Sequence, residues 1–257
     1  MQQTIASICA DMEAWARMAG EIQLRYFRSG ALGIEEKQNV FDVVTVADKA
    51  SEKLIIDNIR AKYPDHSILS EESGTEEHHS DWRWIIDPLD GTTNYSNGLP
   101  IFSVSIGLEY KGDVVAGVVY APYLGELFRA IKGCGATLNG KPIHCGSKTS
   151  LDTAVLTTGM PYDRDINPDN NLDNISRLCT KVRGTRRYGS AAVDLCYVGA
   201  GFFDGYWELN LNPWDVAAGI LIAREAGARV ERFRPDRGIS VCAANPQLFD
   251  ALRKEIR

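Results

Sequence analysis

The chain has 257 residues, a formal net charge of −6 and a pI of about 5.3. An acidic surface does not neutralise phosphates over a broad face, which argues against direct nucleic-acid binding, and an anionic substrate would need recruited cations. No run approaches the roughly 20 apolar residues of a bilayer span. Asp11, Glu13 and Arg17 break up the start, unlike a signal peptide, so a cytoplasmic location with no membrane partner is expected.

In chain order, Ile5, Ile8, Met12, Trp15, Ala19, Ile22 and Tyr26 recur at three- and four-residue spacing. This is one face of a helix, which Gly30 and Gly33 are expected to end. A second helix is expected from Thr45, with Asp48 completing a capping box and Pro64 stopping it. Its inward stripe is Ala47, Ala50, Leu54, Ile55 and Ile59. The pattern then shifts to strands at 67–70, 83–86, 102–109, 114–120 and 126–131, the third and fourth forming a hairpin across Tyr110-Lys111-Gly112-Asp113. After residue 150 strands near 153–157, 185–188, 203–207 and 240–242 alternate with helices near 169–182, 190–200, 213–226 and 246–256. Such interleaving implies a layered α/β fold with mixed sheets. A single unit over 1–257 is expected. Residues 145–152 are the most linker-like stretch, between halves at 1–148 and 149–257. The six scattered cysteines read as buried thiols rather than disulfides or zinc ligands.

The chemistry concentrates in three acidic motifs. In Trp84-Ile85-Ile86-Asp87-Pro88-Leu89-Asp90-Gly91-Thr92-Thr93-Asn94-Tyr95 an apolar strand runs into two aspartates and a glycine-threonine turn. Pro88 is expected to end the strand ladder by removing a donor. Read locally, the two aspartates suit either an Asx turn or a site for a hard cation such as Mg²⁺. Ser70-Glu71-Glu72-Ser73 ends a second strand; alone, paired acids there read as a solvated loop. Asn212-Pro213-Trp214-Asp215 starts a helix, where Asp215 would complement the helix dipole without any ligand. Gly189-Ser190-Ala191 fits either a helix cap or an anion-binding turn. His78-His79 reads as a solvated pair rather than a zinc site.

Together these motifs resemble the inositol monophosphatase family, in order from about Lys37 to Gly227. The resemblance implies a five-layer αβαβα fold, a homodimer, and a lithium-sensitive phosphatase using two or three Mg²⁺ ions on a small phosphate ester. Carried over by position, Glu71, Asp87, Asp90, Asp215 and the Leu89 carbonyl would hold metal. Thr92 and Asp48 would orient the attacking water, beside Glu71. Gly91 and Thr92 would meet the phosphate, and Gly189, Ser190, Ala191, Glu208 and Asp215 the substrate. Lys37 and Glu72 are further candidates at the edge. Inositol 1-phosphate is the leading substrate. A 3'(2'),5'-bisphosphate nucleotidase, which commonly has Lys at the position of Thr93, a fructose-1,6-bisphosphatase, or a regulatory binding protein on the same fold are the alternatives. Two stretches depart from the family: the short basic segment Glu231–Ser240, and the Asn/Asp/Pro-rich loop 160–172, which carries no motif.

Overall fold

A computed structural model of the protein describes residues 2–30, 32–37 and 43–257. Helix α1 (Gln2–Tyr26) and a two-stranded ribbon, β1 (Glu35–Glu36) with β2 (Val43–Val44), lead into α2 (Val46–Lys62). Strands β3 (Ser67–Ser70), β4 (Gly74–Glu76) and β5 (Trp82–Asp90) precede the short helix α3 (Thr92–Ser96). Strands β6 (Ser103–Tyr110), β7 (Asp113–Ala121), β8 (Glu126–Ile131), β9 (Ala136–Leu138) and β10 (Lys141–Pro142) follow. The remaining chain carries β11 (Val155–Thr158), α4 (Leu172–Cys179), β12 (Gly184–Arg186), α5 (Ala191–Gly199), β13 (Gly205–Leu211), α6 (Pro213–Glu225), β14 (Arg229–Arg234), β15 (Ile239–Ala244) and α7 (Pro246–Glu255).

Eight strands form one mixed sheet in the order β10-β9-β8-β7-β6-β5-β3-β4, and five form another in the order β12-β11-β13-β15-β14. Helices α1 and α2 cover the outer face of the large sheet, α5 and α6 fill the space between the sheets, and α4 and α7 close the outer face of the small one. Three apolar cores hold the five layers αβαβα together: one surrounds α5 and α6 and reaches both sheets, and one lies beneath each outer pair of helices. Among the described residues, no helix is long and apolar enough to cross a membrane.

Two close approaches fix α6. A Cβ on Gly117 of β7 would lie 2.9 Å from the Ala218 Cα, and one on Gly107 of β6 would lie 3.2 Å from the Ala217 Cβ. On the other side, a Cβ on Gly219 would lie 2.9 Å from the Leu195 side chain of α5. The small residues after Asp215 are therefore packing residues. They press the helix against the large sheet and so set where its first turn points.

Several expectations need correcting. Helix α1 ends at Tyr26, ahead of Gly30, because Arg28 takes a left-handed φ of 58° while its guanidinium donates to the Gly98 carbonyl at 2.7 and 3.0 Å. Ile22 and Tyr26 of its stripe are only half-buried, as are Ala50 and Leu54 of α2. Pro88 does not end β5: it sits in a register shift between Asp87 and Asp90, where no ladder donor is required, and pairing resumes at Asp90–Ser103. The basic segment after Val230 forms part of the antiparallel pair β14–β15 at the edge of the small sheet, with a register shift between Arg232 and Arg234. All six cysteines are free, but only Cys9, Cys196 and Cys242 are buried; Cys134 and Cys179 are exposed.

Candidate active site

Strands β3 and β5 are parallel neighbours, with Ser70 paired to Ile86, so Glu71 and Asp87 emerge side by side at the same sheet edge. The Glu71 amide donates to the Ile86 carbonyl at 3.2 Å, which locks that placement. Asp87 is 2% exposed. Burial raises its carboxyl well above the usual range. The neighbouring Glu71, Asp90 and Asp215 charges, and a hydrogen bond with the Glu71 carboxyl, raise it further.

Asp90, also buried, ends β5. The Ser190 hydroxyl donates to it at 2.6 Å and the Ala192 amide at 2.8 Å, so the N-terminus of α5 holds this carboxylate from the opposite sheet. Burial nonetheless lifts it to about 6. Ser190 therefore caps α5 and positions Asp90 as well, a role its cap signature does not reveal. Asp215 sits in the first turn of α6, where the Asn212 amide donates to it at 2.7 Å. Burial and the Glu71 charge keep it well above the usual range.

The capping box predicted at Thr45 forms: the Thr45 amide donates to Asp48 at 3.0 Å and its hydroxyl does so at 2.5 Å. The helix cap has a second use here. The Thr92 hydroxyl lies 3.1 Å from the other Asp48 oxygen and 2.9 Å from the Leu89 carbonyl, joining the cap of α2 to the strand end. Burial raises Asp48 to about 6 despite its bonds from Thr45. Lys37 bridges Glu71 and Glu72 at 2.7 and 2.6 Å. Burial opposes that charge, but the two carboxylates outweigh it and hold the ammonium protonated, while burial lifts Glu72 to about 7.

Gly91 opens α3 in a left-handed conformation, φ 92°, and a Cβ there would come 3.0 Å from the Ile101 carbonyl and 3.1 Å from the Gly189 carbonyl. Only glycine fits both demands. Asn94 donates to the Ile101 and Tyr188 carbonyls at 2.8 and 2.5 Å and so ties this turn to the Gly189 turn of the small-sheet side. Tyr95 and Phe102, packed with Phe27, support it from below.

A cavity of about 350 Å³ opens between the two sheets, with Asp90, Gly91, Gly189, Ser190, Glu208 and Asp215 on its lining. Ala191 and Thr93 also line it, whereas Asp48, Glu71, Asp87 and Thr92 do not and lie behind it. Glu208 accepts from the Tyr206 hydroxyl at 2.8 Å, and burial lifts it to about 7. It sits so close to Gly159 that a Cβ there would come 1.9 Å from its Oε1. Sequence reasoning missed Gly159, Asn94, Arg187 and Arg164, all but Asn94 on the lining. Gly159 and Asn94 have no local signature, because they meet Glu208 and the Tyr188 carbonyl, both distant in sequence. His78, outside this site, meets Glu76 at 2.8 Å on the surface.

Among the described residues no three His, Cys, Asp or Glu side chains converge as a metal-binding group. Glu71 is turned toward Lys37, and Asp90 toward Ser190 and Ala192. The donor chemistry nevertheless suits a hard cation. The charges of Glu71, Asp90 and Asp215 all bear on the buried Asp87, two residues before the Leu89 carbonyl, so each of these donors is an oxygen.

The profile of the inositol monophosphatase family matches residues 6–255. An inositol-1-monophosphatase of Synechocystis sp. is 44% identical over 234 residues, covering 87% of this chain and 80% of that protein. The Nus factor SuhB of Salmonella typhimurium is 41% identical over 249 residues, covering 94% and 92%. The solved inositol monophosphatase of Anabaena (Nostoc) sp. superposes with a TM-score of 0.86 at 39% identity, covering 99% of this chain and 95% of that one. On these matches over nearly its whole length, the chain is a phosphatase belonging to the inositol monophosphatase family.

Proposed function

We propose that the protein hydrolyses the monoester of a small polyol or sugar phosphate, with inositol 1-phosphate the leading candidate, in a Mg²⁺-dependent and lithium-sensitive reaction. One observation carries this reading: Asp87 is buried with the charges of Glu71, Asp90 and Asp215 pressing on it, an arrangement that a divalent cation would relieve. Glu71, Asp87, Asp90, Asp215 and the Leu89 carbonyl would hold Mg²⁺, which supplies charge stabilisation for the phosphoryl group and acidifies the attacking water.

The chain's own residues do the rest. Asp48 and the Thr92 hydroxyl, 3.1 Å apart, form a pair that can orient a water and take up its proton, since a carboxyl near pKa 6 is mostly ionised at neutral pH. Gly91 and Thr92 open α3, where unpaired amides can receive phosphate oxygens. Glu208, Gly189, Ser190 and Ala191 line the end of the cavity suited to polyol hydroxyls. A homodimer belongs to the same reading and is checked by sedimentation.

The test is phosphate release from inositol 1-phosphate, fructose 1,6-bisphosphate and adenosine 3',5'-bisphosphate, with Mg²⁺, with EDTA and with lithium. Turnover of inositol 1-phosphate well above the others, abolished by EDTA, is the expected result. Release that EDTA leaves intact would overturn the metal assignment. The relatives named Nus factor SuhB support a second role, as a Nus factor, alongside catalysis. A pull-down with a catalytically dead variant addresses it separately.

A further inference from the structure

The two stretches that depart from the family meet each other in space. Arg237, in the turn between β14 and β15, pairs with Asp163, and its Nη1 donates to the Asp169 carbonyl at 2.7 Å and to the Asp169 carboxylate at 3.1 Å. Arg234, at the end of β14, makes a two-pronged contact with Asp169 at 3.0 and 2.6 Å and also holds Asp236. Hydrogen bonds from Arg234 draw Asp169 below the usual carboxylate range. The Arg237 and Arg234 side chains are only 18% and 24% exposed, so these forked contacts are better shielded than ordinary surface pairs.

Asp163 and Asp169 belong to the loop whose Pro161, Tyr162 and Arg164 line the cavity. Within that loop, Asn170 donates to the Arg164 carbonyl at 3.1 Å. The same hairpin supports the cavity from a second side. A Cβ on Gly238 would lie 2.6 Å from Asn210 Oδ1 and 3.0 Å from its Cα, and Asn210, at a left-handed φ of 61°, is another lining residue. One turn, 235–238, thus braces two separate segments of the wall that faces Gly91 and Asp90.

We propose that Arg237, assisted by Arg234, is a positioning residue for substrate selection: by clasping Asp163 and Asp169 it fixes where Tyr162 and Arg164 stand, and so which polyol the cavity accepts. The proposal rests on the phosphatase reading above. A contact that merely stabilised the fold would affect every substrate alike. A contact that sets the wall changes KM for a substrate reaching it and spares one that does not.

Wild type, Arg237→Ala, Arg237→Lys and the near-isosteric Asp163→Asn are compared on inositol 1-phosphate and on p-nitrophenyl phosphate, whose flat aryl group lacks polyol hydroxyls. For Arg237→Ala the expected result is a rise of about tenfold in KM for inositol 1-phosphate, with kcat and the aryl ester's KM within about twofold. Arg237→Lys, which keeps charge without the fork, falls between. Amide hydrogen exchange over 161–171 is expected to quicken by about tenfold in Arg237→Ala and in Asp163→Asn, while β6 stays protected. Equal losses on both esters, or unchanged exchange in that loop, would overturn the proposal. If Arg237→Ala does not fold, Asp163→Asn carries both readouts. If wild type cleaves neither ester, the phosphatase reading fails on its own, and the exchange contrast still decides whether the clasp holds the wall.

Discussion

The acidic cluster, a floor that lies mostly off the cavity lining, and the cavity's outer wall are built by opposite means. On the floor most carboxylates are placed by a short-range device: Glu71 and Asp87 follow the last parallel pair of β3 and β5, while Asp48 and Asp215 occupy the third position of helix caps. On the wall, the loop 161–171 is held by pairs that join residues 65 to 74 positions apart. Rigid elements suit the floor, where reacting groups need fixed geometry. A loop tethered by a few ion pairs suits a surface whose task is selection.

Breaking the floor should give the largest effect. Asp90→Asn keeps an oxygen to accept from Ser190 and Ala192, so the fold survives, but it removes a charge from the acidic cluster; kcat is expected to fall about a thousandfold. Circular dichroism with phosphate release checks both halves, and near-normal turnover by the folded variant would sink the metal assignment. Next comes Gly159→Ala, where the floor meets the wall. Its new Cβ would land 1.9 Å from Glu208 Oε1 and must push that carboxylate aside. KM for inositol 1-phosphate should rise about tenfold, with p-nitrophenyl phosphate changed less than about twofold.

A smaller effect concerns protons. Asp48 and Asp90 are raised to about 6, and Glu72 and Glu208 to about 7. Between its usual value and its raised one, such a carboxyl binds a proton when folded and not when unfolded. The stability this contributes without metal is therefore lost as pH rises through about 6 to 7. On the proposed reading, Mg²⁺ would displace protons from those acids that hold it. The rise in Tm on adding Mg²⁺ should be small near about pH 5 and grow toward about pH 7.5, whereas an equal rise at both would argue that the acids do not hold the ion. The smallest expected effect on catalysis is that of Gly117→Ala, which crowds Ala218 beneath α6. It should cost about 1–3 kcal/mol in urea unfolding with KM unchanged, and a shifted KM would mean that α6 carries the strain into the site.

The residues of the floor were legible because each sits beside its own local signal. The run Trp84–Ile86 announces the strand that carries Asp87, and Asn212-Pro213 announces the helix that begins beside Asp215. Asp48 was legible locally only as a cap; the family resemblance alone put it with Thr92, 44 residues away. Pro88 was misleading: its missing donor matters only where a ladder bond is due, and the register shift there removes the need. Ser190 read as a cap or a substrate contact, yet its hydroxyl is committed to Asp90, 100 residues distant.

By itself, then, the sequence determined most of the helices and strands and the identities of the acidic residues, since helix caps, strand alternation and turn glycines act over a few residues and leave their mark in composition; the order of the layers came only through the family resemblance. Only the tertiary structure decided that Lys37 bridges Glu71 and Glu72, that Gly159 seats Glu208, and that Arg234 and Arg237 clasp the loop over the cavity. Those arrangements join residues from different layers. Their physical origin is the meeting of surfaces once the apolar cores have packed, and no local pattern encodes such a meeting.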